Sequence, residues 1–524
     1  MKRTTIGSVM RGICYGFAAL LFAASCANDD VAQENKQKKD NIPTGTTVFT
    51  GTSQTEVTTR TAILNHTKGS DASVNWSSTD KIWVKDDGGN WQQSGAVTFP
   101  FATNKAQGMF ALSGTYTGAT HDILYTNKTI SGTQPQVEIK ATQAQSAPNN
   151  FDHAGESGDF GIATGNKAGS NYKFTLNHKA AYLCFIPRSS NPYVNRSKLI
   201  KVEIMSDDDI AGTYNIAANG ALTPASGGSK IITVTTGSGF DIDNSTDDMS
   251  KNATYAVVAP GTHTFRVRYW LRNTTDNPAG PIEGTVSKIV TLNCTAGSIQ
   301  DITANLDPHE YDGNHYYMWD AQEQFWKGHE WNQGGSQPSI NGNKSTDYAK
   351  NNSDTRFYNE GAGPLQATTS FFKDLPNVNE MVWYATNGDP RYDVDELWIT
   401  MNHLYKGGLW LKKKVYISSF NANNAPDMTD WRTINKTQMW SIPNTLPLAA
   451  NMNKYFYIPS LGFYDSDSFG AGFVGLRSIG IAGPCWSSSS RLDTSSSYIL
   501  TFGNGLIQIG VGSRRNGYSL QVFE

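Results

Sequence analysis

Before residue 308 the sequence offers no amphipathic helical pattern longer than about three turns, and this constrains the fold more than any other feature. In its place come short strand-like runs bounded by Gly, Asn, Asp and Ser, at residues 80–84, 198–205, 230–235 and 285–292. Runs of this length and spacing predict β-sandwiches rather than helical layers. Composition agrees: charged residues make up 17% of the chain and Gly numbers 49, the balance of an exported, turn-rich, all-β protein. Lys plus Arg total 43 against 46 Asp plus Glu, which excludes the dense cationic face of a nucleic-acid binder. At roughly 150 residues per domain, 524 residues suggest about three domains.

The first 26 residues read as an address. Lys2, Arg3 and Arg11 precede a mostly apolar run of 12 residues, Ile13 to Ala24. That run is too short to span a bilayer and suits a signal peptide. It ends in Ala23-Ala24-Ser25-Cys26, small residues before a Cys, the order a lipoprotein signal peptidase needs. Cys26 is therefore the expected lipidation site, and acyl chains attached there would anchor the protein to a membrane. Ala23 stands where Leu is commoner in such sites. Residues 27–46 are polar and aperiodic and predict a flexible tether. Of the five cysteines, Cys14 and Cys26 belong to this leader. Cys184, Cys294 and Cys485 are far apart; Cys184 lies in a buried-strand pattern, and one disulfide among the three stays open. No Cys-x-x-Cys or His-x-x-x-His spacing suggests zinc, so no metal site and no cofactor are expected.

An ordered set of short motifs carries a family resemblance. It runs through Arg60-Thr61-Ala62-Ile63-Leu64, Val74-Asn75-Trp76, Asp80-Lys81-Ile82-Trp83-Val84, Ile139-Lys140-Ala141-Thr142-Gln143 and Leu176-Asn177-His178-Lys179-Ala180. It continues with Ile210-Ala211-Gly212-Thr213 and Tyr255-Ala256-Val257-Val258-Ala259-Pro260-Gly261, and closes with Ala296-Gly297 before residues 302–306. In this order the set resembles the fimbrillin family, the type V pilus subunits of Bacteroidetes. Ala27-Asn28-Asp29-Asp30 likewise resembles the signal that sends lipoproteins of that group to the outer face of the outer membrane.

The resemblance implies two tandem transthyretin-like β-sandwich domains, at residues 47–170 and 171–307. It also implies a surface location, fimbrial partners joined by strand exchange, and removal of the first strand by an arginine-specific protease. Removal exposes a groove that a neighbouring subunit's strand fills, with backbone hydrogen bonds giving affinity and alternating side chains giving register. Here the segment to be removed is residues 26–60, containing Thr47-Val48-Phe49-Thr50, and the candidate processing residue is Arg60. Trp76 and Trp83 are expected core anchors of the first sandwich, and His178 a structural histidine.

Composition shifts at Asp307-Pro308, beyond which lie nine of the 13 tryptophans. Such density fits a compact core or a sugar-stacking surface. Residues 371–387 and 394–405 allow short helices, so this part is read as α+β. Three stretches resemble the Fibrobacter-major-paralogous type of domain, a relative of C-type-lectin-like folds: residues 383–398, 403–414, and 455–462 with Trp486-Ser487-Ser488-Ser489 and the closing Arg514 to Ser519. Pro484-Cys485 departs from that pattern. The fold expected overall is mostly β: two sandwiches, then an α+β C-type-lectin-like domain over residues 308–524. Trp383, Trp398, Trp410 and Trp486 are the candidate ligand-binding residues, with host or microbial glycans or proteins as possible partners.

No calcium site is expected. Asp465 with Asp467 is a common loop pairing, and Asp241-x-Asp243-x-Ser245 begins like an EF-hand loop but has Asn252, not Glu, at position twelve. Lys412-Lys413-Lys414 reads as a solvated strand end. No catalytic constellation is visible: Ser487 to Ser490 lacks a Gly-x-Ser-x-Gly elbow, and no spacing favours a carboxylate pair. Three readings follow in order. The first is a fimbrial subunit at the tip or in an accessory place, since residues 520–524 read as built into the last module rather than as a strand to donate. The second is a permanently anchored glycan-binding lipoprotein, and the third a surface carbohydrate-active enzyme.

Overall fold

The structure, a computed structural model, describes residues 42–52, 62–64, 66–70, 73–101, 104–274, 280–339, 343–361, 366–465 and 472–524. The leader, Cys26 and Arg60 lie outside these residues. The described chain is mostly β, in several sheets.

The first sheet runs in the order Trp91–Gln93, Trp83–Lys85, Thr120–Tyr125, Gly161–Ala168, Asn171–Thr175, Thr47–Thr52 and Gly108–Leu112. Its most N-terminal strand, Thr47–Thr52, is called β1 below. The alternation of these strands buries Phe49, Val84, Phe110, Tyr172 and Phe174 in one core, completed by Trp76 and Ile82 from the connecting segments, where Trp76 packs edge-on against Phe110.

The second core forms around Ala181–Arg188, whose first seven residues are all buried. This strand is flanked by Thr254–Val258 and Ile299–Asn305. It faces a long sheet made of Ile231–Asp241, Lys198–Ser206, Gly261–Asn273 and Ile282–Cys294. The expected division at residues 170/171 falls inside the hairpin between Gly161–Ala168 and Asn171–Thr175. The two cores interleave along the chain. Residues 136–160 already send Val137, Ile139, Phe151 and Phe160 into the second core, after which Tyr172, Phe174 and Leu176 return to the first.

At the other expected division, residues 307/308, the long sheet continues into the last module. Ile282–Cys294 meets Arg391–Thr400 in parallel at Thr285 and Glu396, and His309–Tyr311 pairs with the same strand. Within the module, the helix Val378–Asn387 begins where Asn377 and Glu380 form a reciprocal capping box. The helix expected at 394–405 is instead a β-hairpin of Arg391–Thr400 and His403–Lys412. Met401 and Asn402 both have positive φ, 48° and 60°, the tight turn whose twist matches the strands it joins.

The junction holds a charged cluster. Glu396 accepts hydrogen bonds from the Ser287 N–H (3.0 Å), the Ser287 hydroxyl (2.6 Å) and the Thr285 hydroxyl (3.1 Å). Arg268 pairs with Asp393 at 2.9 Å and approaches Asp395, which also faces Lys406, while Lys288 lies near. Burial, reinforced by the Asp393 charge, pushes the Glu396 carboxyl from 4.5 up to about 7. The folded state therefore holds the extra proton between these values. Its stabilising contribution is full below about pH 4.5 and is lost as pH rises through about 7. Glu396→Gln keeps the shape and the acceptor for Ser287, and is expected to abolish that loss. In urea unfolding, the stability of Glu396→Gln relative to the unsubstituted chain should rise by about 2 kcal/mol between pH 4.5 and pH 8, discounted for the solvent that reaches this half-buried residue.

Candidate functional site

Strand β1 sits between two partners, parallel to Asn171–Thr175 on one side and antiparallel to Gly108–Leu112 on the other. It thus joins the outermost strand to the rest of the sheet. Two of its side-chain positions point into the core, Phe49 and Gly51. Phe49 is fully buried, stacks on Tyr172 at 4.6 Å and 8°, and meets Tyr116 edge-on at 5.2 Å. A Cβ at residue 51 would stand 2.5 Å from the Phe174 ring, so the strand needs glycine there. The slot is therefore coded by one aromatic knob and one notch, two residues apart, as strand periodicity requires.

The slot's walls are fixed and neutral. The Tyr172 hydroxyl donates to the carbonyl oxygens of Gly118 (2.7 Å) and Tyr116 (3.2 Å). Burial, with the charges of Asp86 and Asp87, pushes the Tyr116 phenol up to about 12. The remaining contacts along β1 are mostly backbone pairs, supplemented by Val48 N–H to Asn171 Oδ1 at 3.3 Å. The strand is thus held mainly through its main chain, with two side-chain positions packed into the core. Residues 47–50 were readable as the strand; its receptor was not assigned, although the alternation Tyr172, Phe174, Leu176 is a period-2 signal that marks it.

The tryptophans chosen for sugar stacking are core residues, with one exception. Trp383 is 8% exposed, Trp398 1% and Trp486 0%. Their indole N–H groups donate to the carbonyls of Asn424 (2.8 Å), Gly407 (2.9 Å) and Tyr317 (2.7 Å). Rings satisfied in this way present no face to a glycan, and the density of tryptophan here is explained by core packing. Trp410 alone is half-buried, packed against Tyr457 at 4.9 Å.

Trp76 is buried in the first core as expected, whereas Trp83, expected in the same core, is buried in the second; His178 is fully buried against Asp159, a structural histidine. Asp241 and Asp243 are ion-paired with Lys198 and Lys251, and Asp465 with Arg477; Asp467 lies outside the described residues. Lys413 and Lys414 pair with Glu524 and Glu380 at 2.6 and 2.8 Å. Cys184, Cys294 and Cys485 are buried free thiols.

No protein-family model and no curated protein matches the sequence. Among solved structures the chain is similar to a candidate cell adhesion protein of Bacteroides ovatus (TM-score 0.31, 13% identity, covering 50% of this chain and 93% of that one). It is similar to a fimbrial protein of the same species (TM-score 0.23, 12% identity, 90% and 98% covered). It is also similar to the fimbrial anchor protein Mfa2 of Porphyromonas gingivalis (TM-score 0.23, 10% identity, 50% and 90% covered). Similarity this remote assigns neither a family nor a role.

Proposed function

We propose that this chain is a cell-surface fimbrial subunit of the fimbrillin type, serving at the tip or as an accessory adhesin. In this reading it is exported as a lipoprotein through Cys26, anchored in the outer membrane, processed at Arg60, and joined to other subunits by strand addition. The two interleaved β-cores act as transthyretin-like sandwiches, and residues 308–524 act as a C-type-lectin-like module held out for contact. The reading assigns no catalysis.

One observation carries it. The segment that processing at Arg60 would release contains β1, a strand lying within the sheet and seated by Phe49 and Gly51. Releasing it separates Gly108–Leu112 from Asn171–Thr175 and opens a slot that a second strand can fill. Residues 518–524 are packed within the last module. Tyr518–Ser519 pairs with Tyr316–Tyr317, Leu520 N–H donates to the His315 carbonyl (3.1 Å), and Phe523 packs on Tyr384 and Phe456, so these residues are engaged within the module.

The test is cleavage of the full chain with an arginine-specific protease. A new N-terminus at Thr61 is expected, followed by uptake of a labelled peptide with the sequence of residues 46–52. The same peptide with Phe49→Asp should bind at least tenfold more weakly. A cleaved chain that takes up neither peptide would refute strand addition at this slot.

The second reading, an anchored glycan binder, has one feature in its favour. A cleft of about 550 Å³ between the two sandwiches is lined by half-buried Trp91 together with Lys85, Asp122, Gln134 and Asn177. An aromatic face among amides and a carboxylate suits a sugar ring. An acylated Cys26 at the N-terminus of the protein on cells, with glycan binding that Trp91→Ala removes, would favour this reading over the first.

A further inference from the structure

Three residues far apart in the sequence meet where a hairpin rests on the second sandwich. His66 lies between the paired strands Ala62–Leu64 and Ser73–Asn75. Cys184 lies within Ala181–Arg188, and Asp301 is its direct neighbour in the parallel strand Ile299–Asn305. A His66 ring nitrogen, the Cys184 sulfur and an Asp301 carboxylate oxygen all lie within 4.8 Å of one another. His66 Nε2 is 2.8 Å from Asp301 Oδ1, and Asp301 Oδ2 accepts the Gly69 N–H at 2.7 Å. His66 and Cys184 are buried and Asp301 is half-buried.

The cluster is a poor nucleophile. A reactive cysteine needs a neighbouring cation or base that lowers its pKa. Here burial pushes the thiol well up, the Asp301 charge adds to that, and the imidazole nitrogen nearest the group is engaged by the carboxylate. As a donor set, however, one imidazole, one thiolate and one carboxylate suit a borderline cation.

We propose that His66, Cys184 and Asp301 bind a divalent cation, zinc in the first place, which fastens the 62–75 hairpin to the second sandwich. The charges balance: thiolate and carboxylate neutralise the ion's two positive charges, so the buried unit is neutral overall. Ligation through Nε2, which now donates its proton to Asp301 Oδ1, passes that proton to Nδ1, the buried nitrogen with no hydrogen-bond partner among the described residues. Bonds of about 2.0–2.3 Å in a tetrahedral shell place donor atoms roughly 3.5 Å apart, so closing the set takes a movement of about an ångström. On binding, the sulfur–hydrogen bond breaks, the proton leaves to solvent and a sulfur–metal bond forms, with no change of oxidation state. The hairpin is already drawn to the same place by Lys68 on Asp247 (2.5 Å) and by Asn149 on the His66 carbonyl (3.5 Å). Because Ala62 follows Arg60 so closely, the ion would also hold the start of a processed chain; that consequence rests on the processing reading, whereas the site does not.

The full chain produced in medium where cobalt replaces zinc provides the test. One equivalent of bound cobalt per chain is expected, with the near-ultraviolet charge-transfer absorption of a cobalt–thiolate bond. Cys184→Ser should abolish the absorption, and His66→Gln should lower occupancy at least tenfold. Cys485→Ser should leave both unchanged. Since Cys184 is a core residue, Asp301→Asn serves as a second, near-isosteric variant and should also lower occupancy at least tenfold. Substoichiometric cobalt, absence of the absorption in the unsubstituted chain, or its survival in Cys184→Ser would overturn the proposal.

Discussion

Replacing Phe49 by alanine is expected to destabilise the first sandwich by about 3–5 kcal/mol, measured as the shift of its transition in urea. The ring is fully buried, with Tyr172 stacked on one face and Tyr116 and His121 edge-on around it. Truncation removes the transfer free energy of a large apolar group and leaves a cavity whose walls cannot collapse. Tyr172 is pinned by the hydrogen bond from its hydroxyl to the Gly118 carbonyl, and Phe110 is fixed across the strand pair by its own packing on Trp76. Thr50, which points away from this core, provides the control: Thr50→Ala should stay within about 0.5–1 kcal/mol of the unsubstituted chain. The comparison also bears on assembly. If β1 is the strand exchanged between subunits, the energy lost by Phe49→Ala within the chain should reappear as lost affinity when the same substitution is made in an added peptide. A strand held mainly by its backbone would instead show a small effect in both experiments.

Strand β1 was legible at residues 47–50 through the family resemblance, and the helix Val378–Asn387 lies within the expected 371–387, where Asn377 and Glu380 form its capping box. Residues 394–405 misled because a run rich in Leu, Trp and Ile suits a buried strand as well as a helix; the deciding feature is the Met401-Asn402 turn, which carries no glycine to announce it. The expected division at 170/171 does not separate the two cores, because the chain leaves the first core, builds the edge of the second, and returns. Gln143 and Gln145 show what that detour does. Their amides bond the backbone of Thr254–Val258, with Gln143 Oε1 accepting from Val257 N–H at 2.9 Å and Gln145 Oε1 accepting from Tyr255 N–H at 2.7 Å. Two side chains thereby stand in for a missing strand. Composition located the tryptophans but not their surroundings, since burial and stacking on a ligand call for the same residue. The cluster of His66, Cys184 and Asp301 had no readable spacing, because only the parallel pairing of two distant strands brings its thiol and carboxylate side by side.

Removing the Asp159 carboxylate should be the most damaging polar substitution at the join between the two cores. Asp159 and His178 are both fully buried, with His178 Nδ1 2.9 Å from the carboxylate, and the buried Tyr182 hydroxyl donates to the same group at 2.5 Å. Asp159 precedes Gly161–Ala168 of the first sheet, whereas Tyr182 belongs to the central strand of the second core, so one carboxylate ties both sheets together. Asp159→Ala leaves the His178 imidazole nitrogen without its partner in a fully buried site and takes one acceptor from the Tyr182 phenol. At about 1–3 kcal/mol for the orphaned imidazole, the loss should be at least that much in urea unfolding. Asp159→Asn keeps one acceptor oxygen and should recover part of this, provided that its amide nitrogen does not face the phenol. The alternative is that the aromatic packing of Phe151 on Tyr182 and Tyr255 holds the join by itself. In that case Asp159→Ala would unfold like the unsubstituted chain, and Phe151→Ala would carry the loss. The two variants therefore decide whether the first sandwich, the one that would open if β1 were released, is coupled to the second through a charge or through its apolar contacts.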